Sequence, residues 1–188
     1  MTRMLRLMTA TALSLAAPLA LAHPGHEGLS FSSGFMHPLT GLDHLLVMLA
    51  VGLWAGKLGG AARWQLPLTF VLLMGLGAVL GMAGFSLPGL ETLVAATVMA
   101  LGLLLALSLR LSTASRLALV GVFALLHGLA HGSELTGGAE LMAGMLLATA
   151  LLHGLGLLLA SSRLALPVLV HRLFGCTMLV LGAWIMAA

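Results

Sequence analysis

The sequence predicts an all-α integral membrane protein: a six-helix transmembrane bundle after a cleavable signal peptide. Three observations carry this. Of 188 residues, 61% are hydrophobic and only 7% are charged, with a mean hydropathy of +1.16. Soluble domains carry about 25% charged residues, so most of this chain does not face water. After the N-terminal leader, apolar runs of spanning length recur six times, separated by short breaks rich in Gly, Pro, Ser or charge. Lysine and arginine fall in alternate breaks only.

The leader "MTRMLRLMTATALSLAAPLALA" has Arg3 and Arg6, then an apolar stretch, then Ala20-Leu21-Ala22. This is the pattern of a secretory signal with an Ala-x-Ala cleavage site. The alternative is an uncleaved first helix; the short apolar run and the well-placed site favour cleavage. The chain then divides into a signal peptide, 1–22, and one transmembrane domain, 23–188, whose new N-terminus His23 lies outside the cytoplasm.

The six spans fall at about 34–56, 64–85, 91–109, 117–135, 139–161 and 167–187. Lys57 and Arg63 lie in the first loop, Arg110 and Arg116 in the third, and Arg163 in the fifth. The second and fourth loops have none. The positive-inside rule therefore puts the odd loops in the cytoplasm and both termini outside, in agreement with the leader. Arg172, just inside the sixth span, is within snorkelling reach of the cytoplasmic interface, and His171 is expected beside it there.

The composition also excludes several function classes. The net charge of +3 and pI of 10.6 rest on only eight scattered Lys and Arg, already accounted for by topology, so nucleic acid is not an expected partner. No Gly-rich phosphate loop ending in Lys-Ser or Lys-Thr is present. The single cysteine, Cys176, excludes an intrachain disulfide and a Cys-based zinc site. The 24 glycines include GxxxG spacings at Gly52/Gly56, Gly77/Gly81 and Gly128/Gly132. These suit close helix contacts, within one chain or between copies of a homo-oligomer.

Ionisable groups in a bilayer are costly unless paired, hydrated or bound to metal. Here they form two concentrations. In the first span, "HPLTGLDH" supplies His37, Asp43 and His44; in the fourth, "HGLAHGSE" supplies His127, His131 and Glu134. The fourth-span set is spaced i, i+4, i+7, one stripe of a helix, and histidines at i and i+4 can share one ion. The H-E-x-x-H glutamate is missing, so a metalloprotease helix is not indicated. Gly128 and Gly132 leave room beside the imidazoles for another helix or a ligand.

In a regular helix His37 and His44, i and i+7, nearly eclipse, although Pro38 and Gly41 work against regularity. Thr40 and Asp43 have capping-box spacing, with Asp43 at the dipole-positive end. That cap would explain Asp43 without function, yet a carboxylate there can also orient His44. At 1.5 Å per residue, His44 and His127 are both expected near the midplane. His37, His131 and Glu134 then extend outward as a ladder, and His153 in the fifth span lies nearer the cytoplasm, a weaker metal candidate on the side of release. Met36 and Met48, flanking the first set, read as packing residues. In the tail "HPGHEG", His23 would present an α-amine and an imidazole together, with His26 and Glu27 close by. The tail is either an ion-capturing mouth or a short solvated end.

Four histidines and two carboxylates on two spans at matched depth point to metal or proton handling. The two motifs resemble the H-x5-D-H and H-G-x-x-H-G-x-E signatures of the HupE/UreJ family of nickel permeases, and leader and helix count are similar too. Leu126 stands where that family often has Phe. The resemblance implies high-affinity nickel uptake across a bacterial inner membrane, often to supply hydrogenase or urease. It further implies roles in transport for His37, Asp43, His44, His127, His131 and Glu134.

The expected function is therefore a secondary, non-ATP uptake permease rather than an enzyme, with no resident cofactor. Its substrate is a divalent transition ion, Ni2+ first and Co2+ second, and its other partner is membrane lipid. Imidazole and carboxylate suit borderline divalent ions, and the lack of nearby thiolates disfavours Cu(I); nickel in particular rests on the resemblance. The main alternative is an intramembrane hydrolase with a His-bound zinc. A purely structural subunit is the third reading.

Overall fold

The structure, a computed structural model, describes residues 30–109, 111–134, 138–160 and 167–187. The leader, His23, His26 and Glu27 lie outside the described residues, as does the side chain of Glu134. Among the described residues seven helices run in chain order: α1 Phe31–Thr40, α2 Leu42–Leu58, α3 Ala62–Met82, α4 Leu90–Leu107, α5 Thr113–Glu134, α6 Gly138–Leu159 and α7 Val168–Ala187. There is no strand among the described residues. Helices α3 to α7 are each long and apolar enough to cross a membrane, and they reproduce the second to sixth spans to within a few residues. The chain is an all-α membrane protein.

The first span differs. Instead of one helix over 34–56, the chain forms two, bent by 83° where they meet. Ser30 starts α1 with a capping box, its hydroxyl accepting from the Ser33 N–H while the Ser33 side chain returns to the Ser30 backbone. Pro38 removes one backbone donor from α1. Gly41 then adopts an extended conformation, φ −84° and ψ 114°, and serves as C-cap of α1 and N-cap of α2. Thr40 does not cap α2 as its spacing suggests. Its hydroxyl donates back to the His37 carbonyl at 3.0 Å, closing α1. Asp43 is, as expected, in the first turn of α2.

Glycines hold the bundle together, and all three GxxxG pairs are used inside the chain. A Cβ on Gly77 or Gly81 of α3 would strike the α5 backbone at Leu125 or Leu129, and one on Gly128 or Gly132 would strike α3 at Met74 or Ala78. Gly52 meets the His153 carbonyl of α6, and Gly156 returns the contact at Leu49. Gly34 and Gly144 join α1 to α6; Gly102 and Gly175 join α4 to α7. The room beside His127 and His131 is thus filled by a neighbouring helix, α3. These contacts fix direction as well as distance. On α6, α1 meets Leu141 and Gly144, while Gly52 and Gly56 of α2 meet His153 and Leu157. The broken pair therefore runs alongside α6 from near its start to near its end.

The interior is apolar and rich in thioethers. Met48, Met74, Met145 and Met178 are fully buried with Phe70, Leu101 and Leu105. Met48 packs as expected, whereas Met36 is half exposed. His171 points inward rather than sitting at a surface: it is buried and lines a small cavity with Leu49, Leu53 and Leu159.

Candidate metal centre

The break at Gly41 positions the first set of ligands. It turns α1 across the start of α2, so His37 and His44 approach from two helix ends rather than from one stripe, with ring centroids 5.6 Å apart. Any Cβ on Gly41 would crowd His44 Nδ1 and Asp43 Oδ1, so the residue that breaks the helix also leaves space for this pair. Asp43 Oδ1 lies 3.1 Å from His44 Nδ1. With Nδ1 protonated, the imidazole donates to the carboxylate, and Nε2 is left for an ion.

Helix α5 completes the cluster. The His131 ring meets His37 edge-on with centroids 4.8 Å apart, and lies tilted by 46° against His44 at 4.4 Å. One nitrogen from each of His37, His44 and His131 lies within 4.8 Å of the others. An ion with bonds of about 2.0–2.1 Å in tetrahedral geometry holds its nitrogens about 3.4 Å apart. Small side-chain movements would therefore close these three on one ion. His131 is 1% exposed, and neither of its nitrogens has a hydrogen-bond partner. An unpaired buried polar group costs about 1–3 kcal/mol, a cost that a bound ion would offset.

His127, one turn deeper on α5, stands 5.7 Å from His44. Its Nδ1 donates to the Phe123 carbonyl at 2.8 Å, and its buried Nε2 is unpaired. Glu134 ends α5. A cavity of about 220 Å³ opens onto the cluster, lined by Asp43, His44 and His131 with Glu91, Val94 and Ile185 among others. Glu91, in the first turn of α4, is a cavity residue that sequence reasoning passed over. Its signal was rarity: the chain has only five acids.

Along α5 the cluster sits toward the C-terminal end. Helix α5 starts earlier than its apolar run indicated, so His127 is about 10 Å from its C-terminal end and about 21 Å from its start. Four predicted ligands, His37, His44, His127 and His131, come together with Asp43 beside them. His153 is apart from the cluster, on α6.

The fold and site together define a helical membrane protein with a partly buried imidazole cluster at the end of the bundle where α5 finishes and α6 begins. The sequence matches the family model described as HupE / UreJ protein over residues 11–185, and the chain belongs to that family. A relative named Protein HupE, from Rhizobium leguminosarum bv. viciae, is 49% identical over 98 residues, a stretch covering 52% of this chain and 51% of that protein. The chain thus aligns with about half the length of that relative. No solved structure matches.

Proposed function

We propose that the chain is a secondary uptake permease for a divalent transition metal ion, with Ni2+ the first candidate and Co2+ the second, in a bacterial inner membrane with both termini periplasmic. The observation that carries this is the convergence of His37, His44 and His131 on one point of an apolar bundle, with His127 next in line beyond them. Membership of the HupE/UreJ family supports it. In this reading the ion is drawn into the cavity by Asp43 and Glu91. It exchanges water for the three imidazoles and passes to His127. Glu134, three residues after His131 in the sequence, is proposed as a further ligand on this path. An inward-negative potential of about 100 mV supplies about 4.6 kcal/mol for a doubly charged ion, which would let uptake run without ATP.

Three histidines with an open position would also suit a catalytic zinc. The continuation of the imidazole series past the cluster favours passage over a resident metal, because hydrolysis needs no second ligand deeper in the protein. Uptake of radiolabelled nickel by cells expressing the chain, competed with cobalt, zinc and copper, tests the reading. Saturable uptake is expected, lost in His44→Ala and His131→Ala and competed best by cobalt. Equal inhibition by all three competitors would remove the preference for nickel and leave the permease. Normal accumulation in a His44→Ala, His127→Ala double variant would end the proposal. Retained metal with turnover of a lipid or peptide would favour the enzyme.

A further inference from the structure

His153, like His171, is a buried imidazole whose placement the cluster does not explain, and it is the more deeply buried of the two. It is 1% exposed, in an apolar interior. The close approach of α2 and α6 at Gly52 and Gly156 sets its ring against the α2 backbone, where Nδ1 lies 2.7 Å from the Met48 carbonyl. A carbonyl only accepts, so Nδ1 carries the proton and the Nε2 lone pair is bare. Nε2 is buried with no partner. His127 has the same arrangement, with Nδ1 tied to Phe123 and Nε2 unpaired. A metal-ligating histidine characteristically donates its second nitrogen to a carbonyl or carboxylate in this way.

The two histidines share a neighbour. Phe70 of α3, fully buried, packs its ring 6.0 Å from His127 and 5.0 Å from His153. A series of ring contacts therefore runs from the cluster inward: His44, His127, Phe70, His153. Measured from the same end of the bundle, His127 is about 10 Å along α5 and His153 about 22 Å along α6. Phe70 offers no lone pair, so it divides the series into two coordinating stations. On α6, Met145 and Thr149 precede His153 at helical spacing and are fully buried, and Thr149 donates to the Met74 sulfur of α3. The buried side chains one and two turns before His153 on its own helix are thus an uncharged hydroxyl and an uncharged thioether.

We propose that His153 is a second, inner station for the transported ion: its Nε2 receives the divalent transition metal after the ion has passed His127 and Phe70. This rests on the permease reading and adds a residue to it. With neutral donors alone, the inner station binds more weakly than the carboxylate-flanked cluster, which suits release.

The test is Ni2+ uptake into proteoliposomes holding the full chain. His153→Leu keeps the volume and removes both nitrogens. It should lower the maximal rate by about tenfold or more, the scale seen when a metal site loses even a supporting partner, with an unchanged KM because the outer cluster is intact. His153→Cys places a thiolate where soft Cd2+ binds well, and should make uptake about tenfold more sensitive to Cd2+ than in the wild type, whose Cys176 controls for the native thiol. A purely structural histidine would not change that sensitivity. Wild-type maximal rate in the Leu variant, or wild-type Cd2+ sensitivity in the Cys variant, would overturn the inner station; if the Leu variant does not accumulate, the Cys variant decides. No Ni2+ uptake by the wild type would instead overturn the permease reading itself.

Discussion

At His44 a single neighbouring residue sets the chemistry. A carboxylate that accepts from Nδ1 holds the imidazole in one tautomer, orients it, and raises the basicity of Nε2, and losing such a partner costs metal sites about 10–100-fold in affinity or activity. The expected result for Asp43→Asn is therefore a rise of that order in the apparent KM for nickel uptake, with normal amounts of protein in the membrane. Uptake kinetics over a range of nickel concentrations check this. An unchanged KM would mean that Asp43 does no more than complement the start of α2. Most site residues were visible in the sequence because an imidazole or carboxylate stands out in an apolar run. Glu91 and Phe70 were not. At a span boundary an acid looks like a loop residue, and a phenylalanine looks like core. Only the packing of α3 and α4 against the cluster gives either one a place.

Among the elements, α3 and α5 show why small residues flank the histidines. Gly128 and Gly132 follow His127 and His131 and lie against the α3 backbone; a larger residue would push α5 away from α3, and with it Phe70 away from His127. Gly128→Ala should lower the melting temperature of the detergent-solubilised protein. The corresponding destabilisation is about 1–3 kcal/mol, typical of overpacking, because a carbonyl cannot rotate aside as a side chain can. Gly154→Ala, whose Cβ would meet nothing within 4 Å, is the control and should be neutral or slightly stabilising through helix propensity. Equal melting of both variants with the wild type would show that the α3–α5 contact relaxes freely. Helix extents were legible because long apolar runs allow little else in a membrane. The break at Gly41 was legible only as a hint from Pro38 and Gly41: hydropathy is continuous across it, and the bend depends on α1 finding Leu141 and Gly144 of α6.

For the whole molecule, the glycine contacts and the charge pattern bear on the same question from different directions. Lys57 in the last turn of α2, Arg116 in the first turn of α5 and the other cations near the helix ends predict alternate crossing, with Lys57 inside. Packing makes its own demand. Helices α3 and α5 run parallel, since Gly77 meets Leu125 and Gly81 meets Gly132, and α4 and α7 run antiparallel, since Gly102 meets Gly175 while Gly182 meets Ala95 and Met99. Both directions agree with alternate crossing. The α1–α2 pair decides between five spans and six. Because α1 sits beside the first turns of α6 and Gly56 sits beside Leu157 and Ala160 near its end, the pair should cross as one broken span. Single cysteines in a Cys176→Ser background, probed with a membrane-impermeant maleimide on intact cells, separate the two counts. Ser32→Cys, on the exposed face of α1, and Ser86→Cys, between α3 and α4, should both react from outside, while Lys57→Cys and Ser112→Cys should react only after the membrane is opened. If Ser32→Cys reacts together with Lys57→Cys instead, the pair turns back within the membrane. His37 would then reach the cluster from the cytoplasmic side, and the proposed direction of ion capture would have to be reversed.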